Sequence, residues 1–553
     1  MQPSAQISLN GQGLDHSNAN SVEESDYTIA WDGFLYDADG TPHHAAVRRL
    51  LDRLRRGESL ISLCGSLRGS FFVAIWDKQK QQGHAFVDEN GLYSAYRNRY
   101  AVAKSFLHLL DDTTRQACPL NSESVVEFLQ MGNVYFGHTL SDEIRKISQR
   151  ELLKVDREGV SVDKRIVPEI NDPPVYANLF DAMEPVAEAA KQCTPSVDLT
   201  GGFDSRLVAC LMTHHQVPFE AALSGESDHP DCVLGQQVAE ALGCKFVFTT
   251  WNTDRLEADL PGLMSRLDGM CGYLSTFHRL CQLTDERQSR GIDLSFKGSG
   301  GELFKDFFWA QDFPFYASKK SRLNRLHRLR LEFELLSPNV LTEEFFGHFL
   351  SARKKRQQRL QEYSLPLNTQ TYDNVYFNER VQTWNGRLIT SCQAPTIASH
   401  SPLCETRAVQ IGFSAARSLR FYNRLHRHYI SKQSPAAAQV YTTDGTTASD
   451  RTADLLRDGA GYAYGKSRKL LRKLNQLLLN RTRFEASTFS ATDRILNTDL
   501  AVASLHALKS AGIVQEPVEY SDISPRFREF FFAMGWLLDR SSALKIEAPT
   551  TKQ

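Results

Sequence analysis

Short apolar runs bounded by Gly, Asp and Asn mark the first third of the chain. Such runs predict antiparallel strands joined by turns, here over YTIAWDGFLYD, GSFFVAIWD, GHAFVDENGLYSAY and ELLKVDREGVSVDK. Leucines at helical spacing predict a helix over HHAAVRRLLDRLRRG, and a second helix is predicted over 121–131 with Asn121 or Ser122 as its N-cap. Residues 26–168 are therefore predicted to form an α+β domain.

The pattern of hydrophobic and polar residues changes both before and after this domain. Residues 1–25 are polar and rich in Ser, Asn and Gln, which predicts a disordered tail. After a Pro-rich linker, VPEINDPPVYAN, strand-like and helix-like segments alternate, and such alternation is typical of βαβ units in a parallel sheet. From about residue 310 the pattern is mostly helical. An α/β domain with a parallel sheet and many helices is thus expected over 176–553.

Composition narrows the class of protein. The length of 553 residues fits two to four domains, and the net charge of −1 disfavours a dedicated nucleic-acid binder. The 10 Cys form no CxxC pairs, so reduced thiols are expected and not disulfides or zinc ligands. The longest apolar run, 530–538, is far shorter than a membrane span, and the first residues lack a signal-peptide pattern. We expect a cytoplasmic enzyme with no membrane partner.

The segment VDLTGGFDSRLVA, 197–209, carries the clearest chemistry. A strand ends near Thr200, and Gly201 and Gly202 allow a tight turn with close approach to a ligand. Asp204 and Ser205 open a helix whose backbone N–H groups can bind phosphate. Because Asp204 would repel phosphate, a cation such as Mg²⁺ is expected between them. The alternative is an ordinary strand-to-helix turn with Asp as N-cap.

A second glycine-containing segment is a poor candidate for phosphate binding. AGYAYGKS, 460–467, lacks the first Gly of a Walker A loop and follows no apolar strand. It is predicted to be a loop that precedes a basic helix.

The motif TGGFDS resembles the pyrophosphate loop, SGGxDS, of the asparagine synthetase family, which includes asparagine synthetases, β-lactam synthetases and lasso-peptide cyclases. Other segments resemble further family motifs in the same order, namely DENGLYSAY (88–96), DHPDCVLGQQVAEALG, KGSGGELF (297–304) and SPLCETR (401–407). The resemblance implies an N-terminal glutaminase-like sandwich of the Ntn type over 26–168. It also implies a pyrophosphate-loop synthetase domain over 176–553.

The resemblance also implies a reaction, in which ATP activates a carboxylate as an acyl-adenylate, pyrophosphate leaves, and an amine displaces AMP to form an amide. ATP and Mg²⁺ are the implied cofactors. Asp204 and Glu302 would hold the metal, and Arg206 and Lys297 would add catalytic positive charge unless they are only surface cations. The residues implied to bind the nucleotide and its phosphates are Thr200, Gly201, Gly202, Asp204, Ser205, Leu223, Ser224, Gly298, Gly300 and Gly301.

Two departures from the family pattern narrow the expected reaction. Glutamine-hydrolysing members begin with Cys, whereas residue 2 here is Gln2 and the first cysteine, Cys64, lies in a core-like segment. The loop GSGGELF is one residue shorter than GEGGDELF and retains Glu302 as its only carboxylate. Lasso-peptide cyclases and β-lactam synthetases share the loss of that cysteine, so the resemblance implies a ligase of the macrocycle- or lactam-forming type without glutaminase activity.

Two other functions remain open at this stage. One is an ammonia-dependent asparagine synthetase or sugar-acid amidotransferase, and the other is an inactive nucleotide-binding scaffold. The expected partners are a small-molecule or peptide carboxylate and amine, with a peptide carrier or a partner enzyme as further candidates. Nucleic acid is disfavoured.

Two basic stretches, 319–330 and 466–483, contain no acidic residue. In the second, Leu470, Leu471, Leu474, Leu477 and Leu478 share one helical face. A packed amphipathic helix with a solvated basic face is expected there. A docking surface for an acidic substrate, a carrier peptide or a nucleic acid is the alternative.

Overall fold

The computed structural model describes residues 6–111, 119–305, 332, 334–362, 370–392, 397–479, 487–540 and 546–547. Its strands are β1 Ser8–Asn10, β2 Gly13–Asp15, β3 Asn20–Glu23, β4 Tyr27–Asp37, β5 Leu67–Asp77, β6 Gln82–Val87, β7 Tyr96–Arg97, β8 Ala101–Ala103, β9 Leu120–Asn121, β10 Arg145–Lys146, β11 Glu151–Asp156, β12 Gly159–Lys164, β13 Pro195–Asp198, β14 Glu220–Gly225, β15 Lys245–Thr250, β16 Leu294–Phe296, β17 Ala398–His400 and β18 Ile546–Glu547.

The α-helices are α1 His43–Arg55, α2 Leu60–Cys64, α3 Phe106–Leu110, α4 Ser122–Met131, α5 Leu179–Ala190, α6 Phe203–His214, α7 Pro230–Leu242, α8 Leu256–Arg266, α9 Leu274–Ser289, α10 Glu343–Glu362, α11 Gln370–Val375, α12 Gly386–Ser391, α13 Thr406–Ser414, α14 Arg417–Arg420, α15 Arg424–Gln433, α16 Pro435–Gln439, α17 Thr452–Leu479, α18 Ser487–Leu496, α19 Asp499–Ser510 and α20 Pro525–Arg540. A π-helix covers Tyr376–Asn385. Short 3₁₀ turns cover Thr253–Arg255, Gly301–Phe304, Pro402–Cys404, Phe421–Asn423 and Tyr520–Asp522.

The N-terminal part contains two antiparallel sheets, ordered β12-β11-β6-β5-β4-β3 and β10-β7-β8-β1-β2. Apolar side chains such as Leu9 and Phe72 fill the space between the sheets. Helices α1 and α2 cover the outer face of the larger sheet, and α3 and α4 pack against the smaller one. The predicted strands and both predicted helices are present, and Asn121 caps α4 by accepting the Ser124 N–H at 3.0 Å. The relationship of this part to glutaminase domains stays a prediction.

The predicted disordered tail over 1–25 is wrong for residues 6–25, which contain β1, β2 and β3. β1 pairs with β2 and β8, and β3 pairs with β4. Ile7 and Leu9 are fully buried, because they alternate with polar residues and face the core between the sheets. A short alternation of apolar and polar residues is enough to form a strand. The polar composition of the surrounding residues made this alternation hard to recognise in the sequence.

The C-terminal part is built on a five-stranded sheet of order β15-β14-β13-β16-β17 in which every pair is parallel. This confirms the predicted mixed α/β class, with a parallel sheet and many helices. β17 was not predicted, because a strand of only three residues has no pattern of its own. No described helix is long and apolar enough to cross a membrane.

The two parts share buried contacts. Phe34 and Tyr36 of β4 belong to the same apolar core as the central strand β13. The Tyr36 hydroxyl donates to Glu405 Oε1 at 2.6 Å, and Ser70 Oγ lies 2.8 Å from His400 Nδ1. The domain boundaries at 168 and 176 stay predictions.

Helix α17 corrects one sequence interpretation. AGYAYGKS lies inside this helix and is not a loop, because good helix formers on both sides outweigh the cost of its glycines. Leu471 on the same helix is 60 % exposed and so is not packed as expected. The side chains of Leu470, Leu474, Leu477 and Leu478, and the whole stretch 319–330, lie outside the described residues.

Candidate active site

Two glycine-rich loops meet at the carboxyl ends of the neighbouring strands β13 and β16. TGGFDS connects β13 to α6, and KGSGGELF follows β16 directly. Glycine is required at both contacts between the loops. A Cβ on Gly298 would lie 2.7 Å from the Ser205 backbone nitrogen, and one on Gly301 would lie 2.4 Å from Asp204 Cγ.

The start of α6 has no side-chain cap, since its N-cap residue is Gly202. The alternative of Asp204 as N-cap is therefore wrong, and this carboxylate lies in the first turn. Internal hydrogen bonds hold the loop in shape. The Thr200 N–H donates to Ser205 Oγ at 3.1 Å, the Gly202 N–H to Thr200 Oγ1 at 3.2 Å, and the Gly201 N–H to Asp231 Oδ1 at 3.1 Å. The backbone N–H groups in the first turn of α6 therefore have no side-chain cap and are available to a ligand.

Both oxygens of Asp204 face nitrogen atoms. Lys305 Nζ donates to Oδ2 at 2.6 Å, and His426 Nε2 lies 2.8 Å from Oδ1 without hydrogen-bond alignment. Burial alone would raise the pKa of Asp204, but Lys305 and His426 outweigh it and hold that pKa well below the usual range. Asp204 is therefore a paired anion in the folded protein.

Glu302 lies in the 3₁₀ turn Gly301–Phe304 and is half-buried. Its Oε2 is buried without a hydrogen-bond partner, while the carboxylate accepts from the Tyr376 hydroxyl. Burial and the negative charge of Glu302 raise the pKa of Tyr376. The turn ends at Phe304, and Lys305 is extended. Residues 306–331 lie outside the described part.

A protein-bound Mg²⁺ does not fit this arrangement of side chains. Each Asp204 oxygen already faces a nitrogen, and within the described residues no group of three or more His, Cys, Asp and Glu could hold a metal ion. ATP fits better, because the uncapped start of α6 offers backbone N–H donors for phosphate oxygens.

Arg206 and Lys297 are both buried, so the alternative that they are surface cations is wrong. The Arg206 guanidinium donates to four backbone carbonyls, those of Gly201, Ala437, Val440 and Tyr441. It therefore fastens the segment 437–441 to the TGGFDS loop. Lys297 Nζ lies 2.9 Å from Asp198 Oδ2, and Arg287 binds the other oxygen of Asp198 at 2.5 Å.

The remaining predicted residues lie around the same sheet edge. Ser224 is the next-to-last residue of β14 and is almost fully buried, and its Oγ has no hydrogen-bond partner. The preceding Leu223 is half-buried. Gly300 has φ +92°, and a Cβ there would lie 2.6 Å from Cys404 Sγ. The segment SPLCETR thus packs directly against the second glycine-rich loop.

Sequence reasoning missed Lys305, His426, Asp198 and Arg279. Arg279 reaches the site from α9 and lies 3.4 Å from the Ser224 carbonyl oxygen. His426 comes from α15, more than 200 residues after the loop it supports, and had no motif around it. Lys305 directly follows the segment KGSGGELF, and this position next to a family motif was the one indication of its role in the sequence.

Two cavities lie elsewhere in the molecule. One of about 1320 Å³ is lined by residues that include Asp32, Lys104 and Asp268, and another of about 730 Å³ meets it at Ser94 and Arg387. Neither is lined by a glycine-rich loop.

A parallel sheet with glycine-rich loops at its carboxyl edge is typical of nucleotide-binding α/β proteins. The family description "Asparagine synthase" matches residues 187–501, more than half of the chain, and the protein belongs to that family. Its members are ATP-dependent carbon–nitrogen ligases that generally use Mg²⁺. No curated protein matches the chain.

Proposed function

We propose that the protein is an ATP-dependent ligase that activates a carboxylate as an acyl-adenylate, releases pyrophosphate and joins the acyl group to an amine. The contact between the two glycine-rich loops at Asp204 and Gly301, beside the uncapped start of α6, is the observation that carries this proposal. Bound ATP would supply the leaving group, pyrophosphate.

The loop residues have separate tasks in this proposal. The first-turn amides of α6 and the hydroxyl of Ser205 bind phosphate oxygens, and Thr200, Gly201 and Gly202 hold the loop in the required shape. Gly298, Gly300 and Gly301 let the second loop lie close to the first. Leu223 and the unpartnered Ser224 hydroxyl line the adenine side, where strand ends form ligand crevices in such sheets.

The proposed amine does not come from glutamine. Cys64 is fully buried, and burial raises the pKa of its thiol to about 12, so it is not a nucleophile. A macrocycle- or lactam-forming reaction on a peptide or small molecule fits an enzyme that receives its amine with the substrate. The nine described cysteines are free thiols, which supports a cytoplasmic setting.

An inactive nucleotide-binding scaffold is the second candidate. The observation in its favour is that Lys305 and His426 occupy both oxygens of Asp204. An ammonia-dependent synthetase of asparagine or of a sugar-acid amide remains the other alternative for an active enzyme.

Product analysis tests the proposal. Purified protein is incubated with ATP, Mg²⁺ and a panel of carboxylates and amines, including aspartate with ammonia and synthetic peptides. We expect AMP and pyrophosphate, with pyrophosphate exchange that Asp204→Asn abolishes and the exposed control Asp254→Asn retains. ADP and phosphate as main products would exclude the adenylate, and ATP binding without turnover for any pair would favour the scaffold.

A further inference from the structure

The ion pair at Asp204 has a geometric consequence for metal binding. Mg²⁺ binds oxygen at about 2.0–2.1 Å, and Lys305 Nζ lies 2.6 Å from Asp204 Oδ2. An ion on that oxygen would therefore lie within about 5 Å of an ammonium group. Two cations at that distance repel each other, so the lysine and a protein-bound Mg²⁺ compete for one place.

Glu302 is the only carboxylate of the second loop. Gly301 packs so closely on Asp204 that any side chain there would overlap the carboxylate. Burial alone would lower the pKa of Lys305, but the negative charges of Asp204, Glu302 and Asp444 outweigh it and raise that pKa. The Lys305 ammonium therefore supplies positive charge directly beside Asp204, where a metal ion on that carboxylate would otherwise lie.

His426 makes the arrangement rigid. Its ring is fully buried between Phe203 and Phe304, with centroid distances of 6.0 and 6.1 Å. These rings belong to the two loop regions that meet at Asp204. The buried histidine thus occupies the Oδ1 side of Asp204 and leaves Oδ2 to Lys305.

Lys305 can also reach a ligand. Its side chain is 19 % exposed, and it is paired to a residue of the first turn of α6, where phosphate oxygens would bind. A lysine ammonium binds phosphate as a point charge with several donors.

We infer that Lys305 is a built-in cation that replaces a protein-bound Mg²⁺ at Asp204 and Glu302 and binds pyrophosphate oxygens together with the start of α6. This inference deepens the proposed function and rests on it for the role of pyrophosphate in turnover. The pyrophosphate site itself can be tested without any turnover.

The first test is calorimetric titration with sodium pyrophosphate in EDTA. We expect the intact protein to bind pyrophosphate without metal, Lys305→Met to weaken binding at least tenfold, and Lys305→Arg to stay within about threefold, since the charge is kept. The control Lys191→Met removes an exposed lysine that pairs with Glu188 and is expected to change nothing. Binding that requires added Mg²⁺, or equal binding by Lys305→Met, would overturn the inference.

The second test is titration with Mn²⁺, followed by electron paramagnetic resonance, in the absence of nucleotide. The intact protein is expected to bind no Mn²⁺ at this site, and Lys305→Met is expected to gain a site that Asp204→Asn then removes. An Asp204-dependent Mn²⁺ site in the intact protein would refute the inference and leave the ligase proposal standing. Metal-free pyrophosphate binding without any pyrophosphate exchange would support the lysine site and count against the ligase.

Discussion

At the scale of single residues, Cys64 bears on the proposal that the amine does not come from glutamine. The thiol is buried in the core under α1 and α2, and its raised pKa of about 12 leaves almost no thiolate at neutral pH. We expect iodoacetamide to leave Cys64 unlabelled in the native protein at pH 8 and to label it in urea, as measured by peptide mass spectrometry. Release of glutamate from glutamine, lost in Cys64→Ala, would contradict this.

Glu302 gives a second residue-scale prediction. A buried carboxylate oxygen without a partner costs free energy, and its place beside Lys305 and the Tyr376 hydroxyl favours contact with a ligand. We expect Glu302→Gln to lower turnover more than tenfold with the melting temperature nearly unchanged. If Lys305 replaces the metal, the Mg²⁺ concentration for half-maximal rate should not change.

The opposite result for Glu302 would also be informative. An acid at a helix start is worth about 0.3–1 kcal/mol, but the turn here has only four residues to stabilise. A near-normal rate with a lower melting temperature would leave Glu302 with only this structural role.

At the scale of elements, Arg206 links α6 to residues 437–441, which comprise the end of α16 and the residues just after it. Its four bonds to backbone carbonyls hold residues 437–441 over the TGGFDS loop, and Thr443 is 3.0 Å from where a Cβ of Gly201 would lie. Lysine cannot make these bonds together, so we expect Arg206→Lys to cost about 1–3 kcal/mol of unfolding free energy and to weaken pyrophosphate binding. Thermal melting and proteolysis within 437–447 measure the loss of stability, and calorimetric titration with pyrophosphate measures the loss of binding, with the exposed Arg424→Lys as control.

Local patterns predicted most elements near the site, because the strands of a parallel sheet are apolar runs and the turn after β13 needs glycines. The short strand β17 and the π-helix Tyr376–Asn385 were not predictable, since three residues carry no period and π-helices depend on tertiary packing. The loop residues were found through a motif. His426 and Lys305 were missed, because their roles arise only when distant segments fold together.

At the scale of the whole molecule, a buried polar chain joins the two parts. Glu405 accepts from Tyr36 and lies 2.8 Å from His400, which contacts Ser70. Burial would raise the pKa of Glu405, but His400, Tyr36 and Arg407 outweigh it and lower that pKa. The resulting stabilisation is present above the unfolded pKa of about 4.3 and is lost as the pH falls through the lower folded value.

The stability difference between the intact protein and Glu405→Gln should therefore shrink as the pH falls below about 4.3. Urea unfolding at a series of pH values measures this difference. A difference that stays constant down to the acid limit would show that the Glu405 charge adds nothing to the contact between the parts.

The shared cores lead to a prediction about folding as a unit. One core joins β4 to the parallel sheet, and another joins α3 and α4 to α8, α9 and the C-terminal helices. Residues 176–553 expressed alone would expose both surfaces to water, so we expect that fragment to be insoluble or to lack a cooperative transition.

Unfolding of the full-length chain gives a second test, in a variant whose other four tryptophans, at 251, 309, 384 and 536, are replaced by Phe. We expect the fluorescence of Trp31 and Trp76, which lie in β4 and β5, to change at the same urea concentration as the helical circular dichroism. Because those tryptophans belong to the N-terminal sheets and most helices to the C-terminal part, two separate midpoints would mean that the parts unfold independently. Coincident midpoints would mean that the N-terminal part is needed to hold the ligase site together, whether or not it has any chemistry of its own.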